Sequence, residues 1–330
     1  MTRRALVLGI TGQDGSYLAE ILLEKGWEVH GLVRRSATGN TRYIDHLLDR
    51  VTLHRGDLTD DTSILRTLQA ARPEVVFNEA DQDHVGWSYA GVGYSMDVTG
   101  AAVGRILELL RQIGPEIRFF QPCSSTMFGL ADNPQTEDTP FRPQSPYGCA
   151  KVLAFHLARY YRDVFGMHVS TAILYNHESP RRTSDSVIRK ITCAAARISR
   201  GLEKELRLGD VSAQIDVGFA REYMEAAYDI AMLERPDDFI LCTGEAHSLR
   251  EVLTLAFGHV GLVPDDHVRF DPEQIRPGKT SPLVGDSEKA RRAIGFAPRV
   301  RLPELVALMM EHALREVEAS LGAAPRPPGR

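Results

Sequence analysis

Short apolar runs alternate with amphipathic stretches through the first half of the chain. Ala5-Leu6-Val7-Leu8 reads as a buried strand, and Glu28–Val33, Val51-Thr52-Leu53-His54, residues 74–78 and residues 117–121 as four further strands. Between them lie segments with helical spacing. One follows Ser16 through Leu23, and another covers 97–113 with Val98, Ala102, Ile106 and Leu109-Leu110 on one stripe. Strand–helix alternation of this kind predicts an α/β fold with a doubly wound parallel sheet, covered on both faces. After Asn176 the pattern loosens. A helix with spaced basic residues is expected over 187–201, and residues 238–242 read as a late strand returning to the sheet. The expected division is a cofactor-binding domain over 1–176 with a return strand near 237–243. A smaller substrate-binding α/β portion then covers 177–236 and 244–321, followed by a disordered tail at 322–330.

Composition narrows the class. Among 330 residues, 43% are hydrophobic and 25% charged, with net charge -5, a globular balance that argues against an electrostatic nucleic-acid binder. No apolar stretch is long enough to span a membrane, and Met1-Thr2-Arg3-Arg4 runs straight into a strand. A cytoplasmic protein without signal peptide or membrane partner is therefore expected. Four cysteines, Cys123, Cys149, Cys193 and Cys242, lack metal-ligand spacing and fit a reducing compartment.

Ligands of doubly wound folds bind beyond the carboxyl ends of the strands, so chemistry is sought there. Gly9-Ile10-Thr11-Gly12-Gln13-Asp14-Gly15 joins the first strand to the first helix. Glycines there let the backbone approach a pyrophosphate, which is favoured at a helix N-terminus. The second strand ends in Arg34-Arg35 rather than an acid, which predicts a 2′-phosphate partner and hence NADP rather than NAD. Asp57 and Leu58, after the third strand, are placed to meet the adenine. Tyr147 and Lys151, at i and i+4, share a helix face. A nearby ammonium is expected to lower the tyrosine pKa, so that the phenolate takes a proton while hydride leaves the same carbon. Ser124-Ser125-Thr126 places a hydroxyl cluster at a strand end.

With these motifs in place, the chain resembles the extended short-chain dehydrogenase/reductases, and more closely the GDP-mannose 4,6-dehydratases. The resemblance runs from Arg4 to about Arg315. It is carried by residues 8–36, by Ser145-Pro146-Tyr147-Gly148-Cys149-Ala150-Lys151, and especially by Asn176-His177-Glu178-Ser179-Pro180-Arg181-Arg182 with Val187-Ile188-Arg189-Lys190. It implies a Rossmann core with tightly bound, recycled NADP, Ala80 among its contacts. It also implies a nucleotide-sugar substrate and a homodimer or homotetramer assembled partly through the Arg181-Arg182 loop. The internal redox cycle it implies oxidises the sugar, eliminates water and reduces the product with the same hydride. Tyr147 matches the base and Lys151 its tuner, with Ser124 beside them. Asn176 and Lys190 match substrate contacts, while His177 and Arg182 match residues near the cofactor.

Three departures stand out. Thr126 occupies the position of the family's acid/base glutamate, and a hydroxyl is too weak an acid or base to replace it directly. Glu79-Ala80-Asp81-Gln82-Asp83-His84 follows the fourth strand, where the family is uncharged. In an extended segment Glu79, Asp81 and Asp83 would face one side, offering a relocated acid/base; His84 is read as positional. Gln214-Ile215-Asp216-Val217 replaces a phosphate-binding arginine by Ile215. Arg276 is retained, and Lys279 stands where an acid is usual. The substrate is accordingly expected to be a nucleotide sugar or a nucleoside. Dehydration leads, and epimerisation, simple reduction or a silent cofactor-binding role are the alternatives.

Overall fold

The computed structural model describes residues 3–37, 39–275 and 282–322. Six strands form in sequence: β1 (Arg4–Leu8), β2 (Glu28–Val33), β3 (Val51–Arg55), β4 (Val75–Asn78), β5 (Arg118–Ser124) and β6 (Val169–Leu174). With Asp238–Leu241 they make one parallel seven-stranded sheet, in the order Asp238–Leu241, β6, β5, β4, β1, β2, β3. The order reverses between β1 and β4, where Leu8 pairs with Asn78. That reversal opens a crevice at the strand ends.

Both faces are covered, for the reason the strand pattern anticipates. Successive side chains of a strand point to opposite faces. Ala5 and Val7 pack with the helices Gln13–Glu24 and Ala220–Met232. Leu6 and Leu8 join a second cluster with the helices Asp61–Ala71, Ala102–Ile113 and Pro146–Phe165. A third cluster lies beyond the sheet, formed by the helices Val187–Ser199, Leu249–His259 and Leu302–Gly322.

Two features differ from the sequence reading. β6 is fully buried and was not anticipated. The helix expected over 97–113 is divided: a π-helical segment, Met96–Ala101, precedes the α-helix Ala102–Ile113. The wide turn includes Gly100, where a Cβ would lie 3.2 Å from the Ala150 carbonyl oxygen, so the backbone closes on the helix carrying Tyr147. Arg276, Lys279 and the tail from residue 323 lie outside the described residues. Among the described residues, no helix is long and apolar enough to cross a membrane.

Candidate active site

The crevice holds a cavity of about 1000 Å³, running from the glycine loop past Arg34 and Asp57 to Glu79, Asp81 and Arg182. Gly9 turns with φ +79°, and a Cβ there would sit 2.5 Å from the Glu79 carbonyl oxygen. A Cβ on Gly15 would lie 2.3 Å from the Gly9 oxygen. Backbone therefore forms this wall, together with Thr11 and Gly12. Gly12 is the N-cap of the helix Gln13–Glu24 and supplies no side-chain oxygen, which leaves first-turn amides for an anionic ligand.

The first turn is tied to the segment after β6. His177 Nε2 lies 2.9 Å from Asp14 Oδ2, its Nδ1 lies 2.8 Å from the Tyr175 oxygen, and its ring stacks on Tyr223. Gln13 bonds the His177 carbonyl and accepts from the Ser179 hydroxyl. Burial opposes charge on both members of the pair. Even so, His177 holds Asp14 below its ordinary value, and Asp14 holds His177 above its own.

Tyr147 and Lys151 lie in the first turns of the helix Pro146–Phe165. Ser145 caps it by accepting from Gly148 N at 3.0 Å, and Pro146 opens it. Both side chains are buried. The Lys151 ammonium donates to the Pro122 oxygen of β5 at 2.9 Å and reaches Asp81 Oδ2 at 2.7 Å. At the end of β5, Ser124 Oγ accepts from Thr126 N and from the Thr126 hydroxyl at 2.9 Å, and Ser125 is buried. Thr126 is thus committed to Ser124, and its carbonyl abuts Gly148.

The expected lowering of the Tyr147 pKa is corrected. Burial raises it and outweighs the opposing pull of Lys151, whose cation is shared with Asp81. The acidic run is corrected too. All three carboxyls line the cavity but do not act as one face, because the segment is not a strand and cations draw them apart. Asp81 turns inward to Lys151, and Asp83, 56% exposed, pairs with Arg182 at 2.9 Å. Glu79 is left with a buried Oε1 that has no hydrogen-bond partner among the described residues. Burial pushes its carboxyl well above the ordinary range; Asp14 and Asp81 add to this, and Lys151 opposes it.

The remaining expected residues divide between cavity and scaffold. Leu58 and Ala80 line the cavity, while Asp57 lines it and anchors Thr59 N and Oγ1. His84 caps the helix Val85–Ser88 by accepting from Trp87 N, a positional task. Asn176, Lys190 and Ile215 do not line this cavity. Asn176 donates to the Asp216 oxygen at 3.4 Å, Lys190 to the Arg207 oxygen and Gln274 Oε1, and Ile215 packs on the third cluster. Arg181 stacks on Tyr17 and pairs with Glu20. Cys123 is buried, which pushes its thiol up to about 12, as expected of an inert thiol.

Sequence reasoning missed Trp87 and Tyr94, an edge-on aromatic pair in the cavity wall, and Asp216, a buried clamp. Asp216 Oδ1 accepts from Thr243 N and Oγ1, and Oδ2 from Gly244 N. A lone acid between apolar Ile215 and Val217 was the available signal.

The family model of GDP-mannose 4,6 dehydratase matches residues 6–309. The chain belongs to this family. It is 43% identical to GDP-mannose 4,6 dehydratase 1 of Arabidopsis thaliana, covering 94% of this chain and 89% of that protein. Among solved structures, the UDP-glucose 4-epimerase of Thermus thermophilus, in complex with NAD, is 27% identical with TM-score 0.82, covering 94% of this chain and 98% of that one. MoeE5 in complex with UDP-glucuronic acid and NAD is 25% identical with TM-score 0.80, covering 95% and 99%. These complexes correct the expectation of NADP over NAD. In the structure Arg34 lines the cavity and donates to the Tyr94 hydroxyl at 2.7 Å, while exposed Arg35 is not part of the lining, so the pair does not converge on the cavity.

Proposed function

We propose that the chain is an NAD-dependent dehydratase of a nucleotide sugar, with GDP-mannose, named in its relatives, as the first substrate to test. The buried Tyr147–Lys151 pair beside a glycine-walled cavity carries this reading. The wall fits a dinucleotide, because side chains are sterically excluded where backbone must approach phosphate. Gly9, Thr11, Gly12, Gln13 and Asp14 would hold its pyrophosphate, with Asp57 and Leu58 at the adenine end. Bound nicotinamide supplies hydride acceptance and return.

The chain's own groups handle the protons. Tyr147 takes the proton of the sugar hydroxyl being oxidised, and Ser124, whose oxygen accepts from Thr126, turns its own hydrogen to the same oxygen. Water loss needs a carboxyl that Thr126 does not provide. With Asp81 held by Lys151 and Asp83 by Arg182, Glu79 is the group left to carry that proton. In this reading His177 and Arg182 complete the cofactor contacts, and Asn176 and Lys190, which lie outside the dinucleotide cavity, those of the sugar. Residues 1–176 with Asp238–Leu241 act as the cofactor half and the third cluster as the substrate half. A cytoplasmic homodimer or homotetramer is consistent with four unpaired cysteines and with exposed Leu153, Tyr160 and Val164 on one helix.

Tyr147→Phe should lower turnover about 10²–10⁴-fold while NAD binding persists; undiminished turnover would remove the assignment. A second reading, sugar epimerisation, is favoured by Thr126 at the acid's position and by the likeness to an epimerase. It predicts a product of unchanged mass.

A further inference from the structure

The Lys151–Asp81 contact has no counterpart in the proton chemistry above. It joins three elements: Lys151 from the helix Pro146–Phe165, Asp81 from the loop after β4, and Pro122 from β5. An ammonium has three N–H donors, and two are fixed here. The Lys151 and Asp81 side chains are only 4% and 17% exposed, so water screens their 2.7 Å contact poorly. We propose that Asp81 is a positioning residue for the reaction, holding the Lys151 ammonium against the end of β5 and withholding much of its charge from Tyr147. The inference rests on the reading of Tyr147 as the base.

Other titratable groups face the same place. Glu79 and Asp83 come from the loop of Asp81, Asp14 from the start of the helix Gln13–Glu24, and Cys123 from β5. Arg182 approaches Tyr147 from the segment after Glu178, but it is bonded to Asp83. Lys151 is therefore the principal cation at the phenol, and Asp81 is the anion in direct contact with it. Burial raises the Tyr147 pKa; Lys151 offsets part of this, and Asp81 and Asp83 add to it. Removing the Asp81 charge frees the ammonium to favour the phenolate. The phenol should then lose its proton at lower pH.

The test reads the phenolate directly, without ligand or turnover. Ultraviolet difference titration is run on the full chain against Tyr147→Phe in the same background, which isolates this tyrosine. Asp81→Asn should move the Tyr147 titration to lower pH by roughly one unit, a tenfold change in phenolate fraction at fixed pH. Asp81→Glu, which keeps the charge, should titrate like the parent. Asp81→Ser gives the same shift as Asp81→Asn and serves if the asparagine variant does not fold. The rising limb of the kcat profile should move with the phenolate. An unmoved phenolate in both uncharged variants, with Tyr147→Phe inactive, overturns this inference alone. Full turnover by Tyr147→Phe instead overturns the base assignment on which it rests.

Discussion

Replacing Gly9 by alanine tests the cofactor wall, and the structure supplies its own control. Gly9 and Gly26 have nearly equal φ, +79° and +78°, but different surroundings. A Cβ on Gly26 meets nothing within 4 Å, whereas one on Gly9 would lie 2.5 Å from the Glu79 oxygen and 2.9 Å from Ala80 Cα. Both variants bear the left-handed penalty of about 1–2 kcal/mol. Only Gly9→Ala adds overlap with backbone, which has no rotamer to retreat to; comparable overpacking costs about 1–3 kcal/mol. At about 2–4 °C per kcal/mol in domains of this order, Gly9→Ala should unfold roughly 2–12 °C below Gly26→Ala. Moving the Glu79–Ala80 backbone also deforms the cavity, so NAD affinity should fall about tenfold or more, a change of roughly 1.4 kcal/mol. Differential scanning fluorimetry and calorimetric NAD titration measure the two effects. Equal melting temperatures and equal NAD affinity for the two variants would refute the wall.

Asp216→Ala strips the acceptor from Thr243 N, Thr243 Oγ1 and Gly244 N in a buried site, so chemical denaturation should show a loss of about 3 kcal/mol or more. The Asp14–His177 pair predicts a pH signature. His177, its pKa raised, contributes stability fully below about pH 6.5 that fades as pH rises through its elevated value. Asp14, its pKa lowered, contributes above about pH 3.9 and loses that contribution as pH falls through its depressed value. His177→Ala should therefore destabilise most between these limits, and a parallel stability–pH curve would contradict the pair.

The first strand was legible as an unbroken apolar run ended by glycine, and the next four as short apolar or β-branched segments alternating with helical ones. β6 was not read, although it is buried throughout, Ser170 and Thr171 included. The glycine loop and the Tyr147–Lys151 spacing are local, so the sequence exposes them. The partners of Lys151 are not local: Asp81 and Pro122 reach it from different strand ends. Period-two reasoning placed Glu79, Asp81 and Asp83 on one side, but it assumes an extended segment and ignores the cations waiting at Lys151 and Arg182. The contact of Arg34 with Tyr94, sixty residues away, is likewise invisible to a local reading.

The most direct measurement of the central claim is the mass of the product. Purified protein with NAD and GDP-mannose, followed by mass spectrometry and by cofactor absorbance, should yield product lighter by one water with no net change in NAD. A product of unchanged mass, or stoichiometric consumption of the cofactor, would contradict a dehydratase with an internal redox cycle.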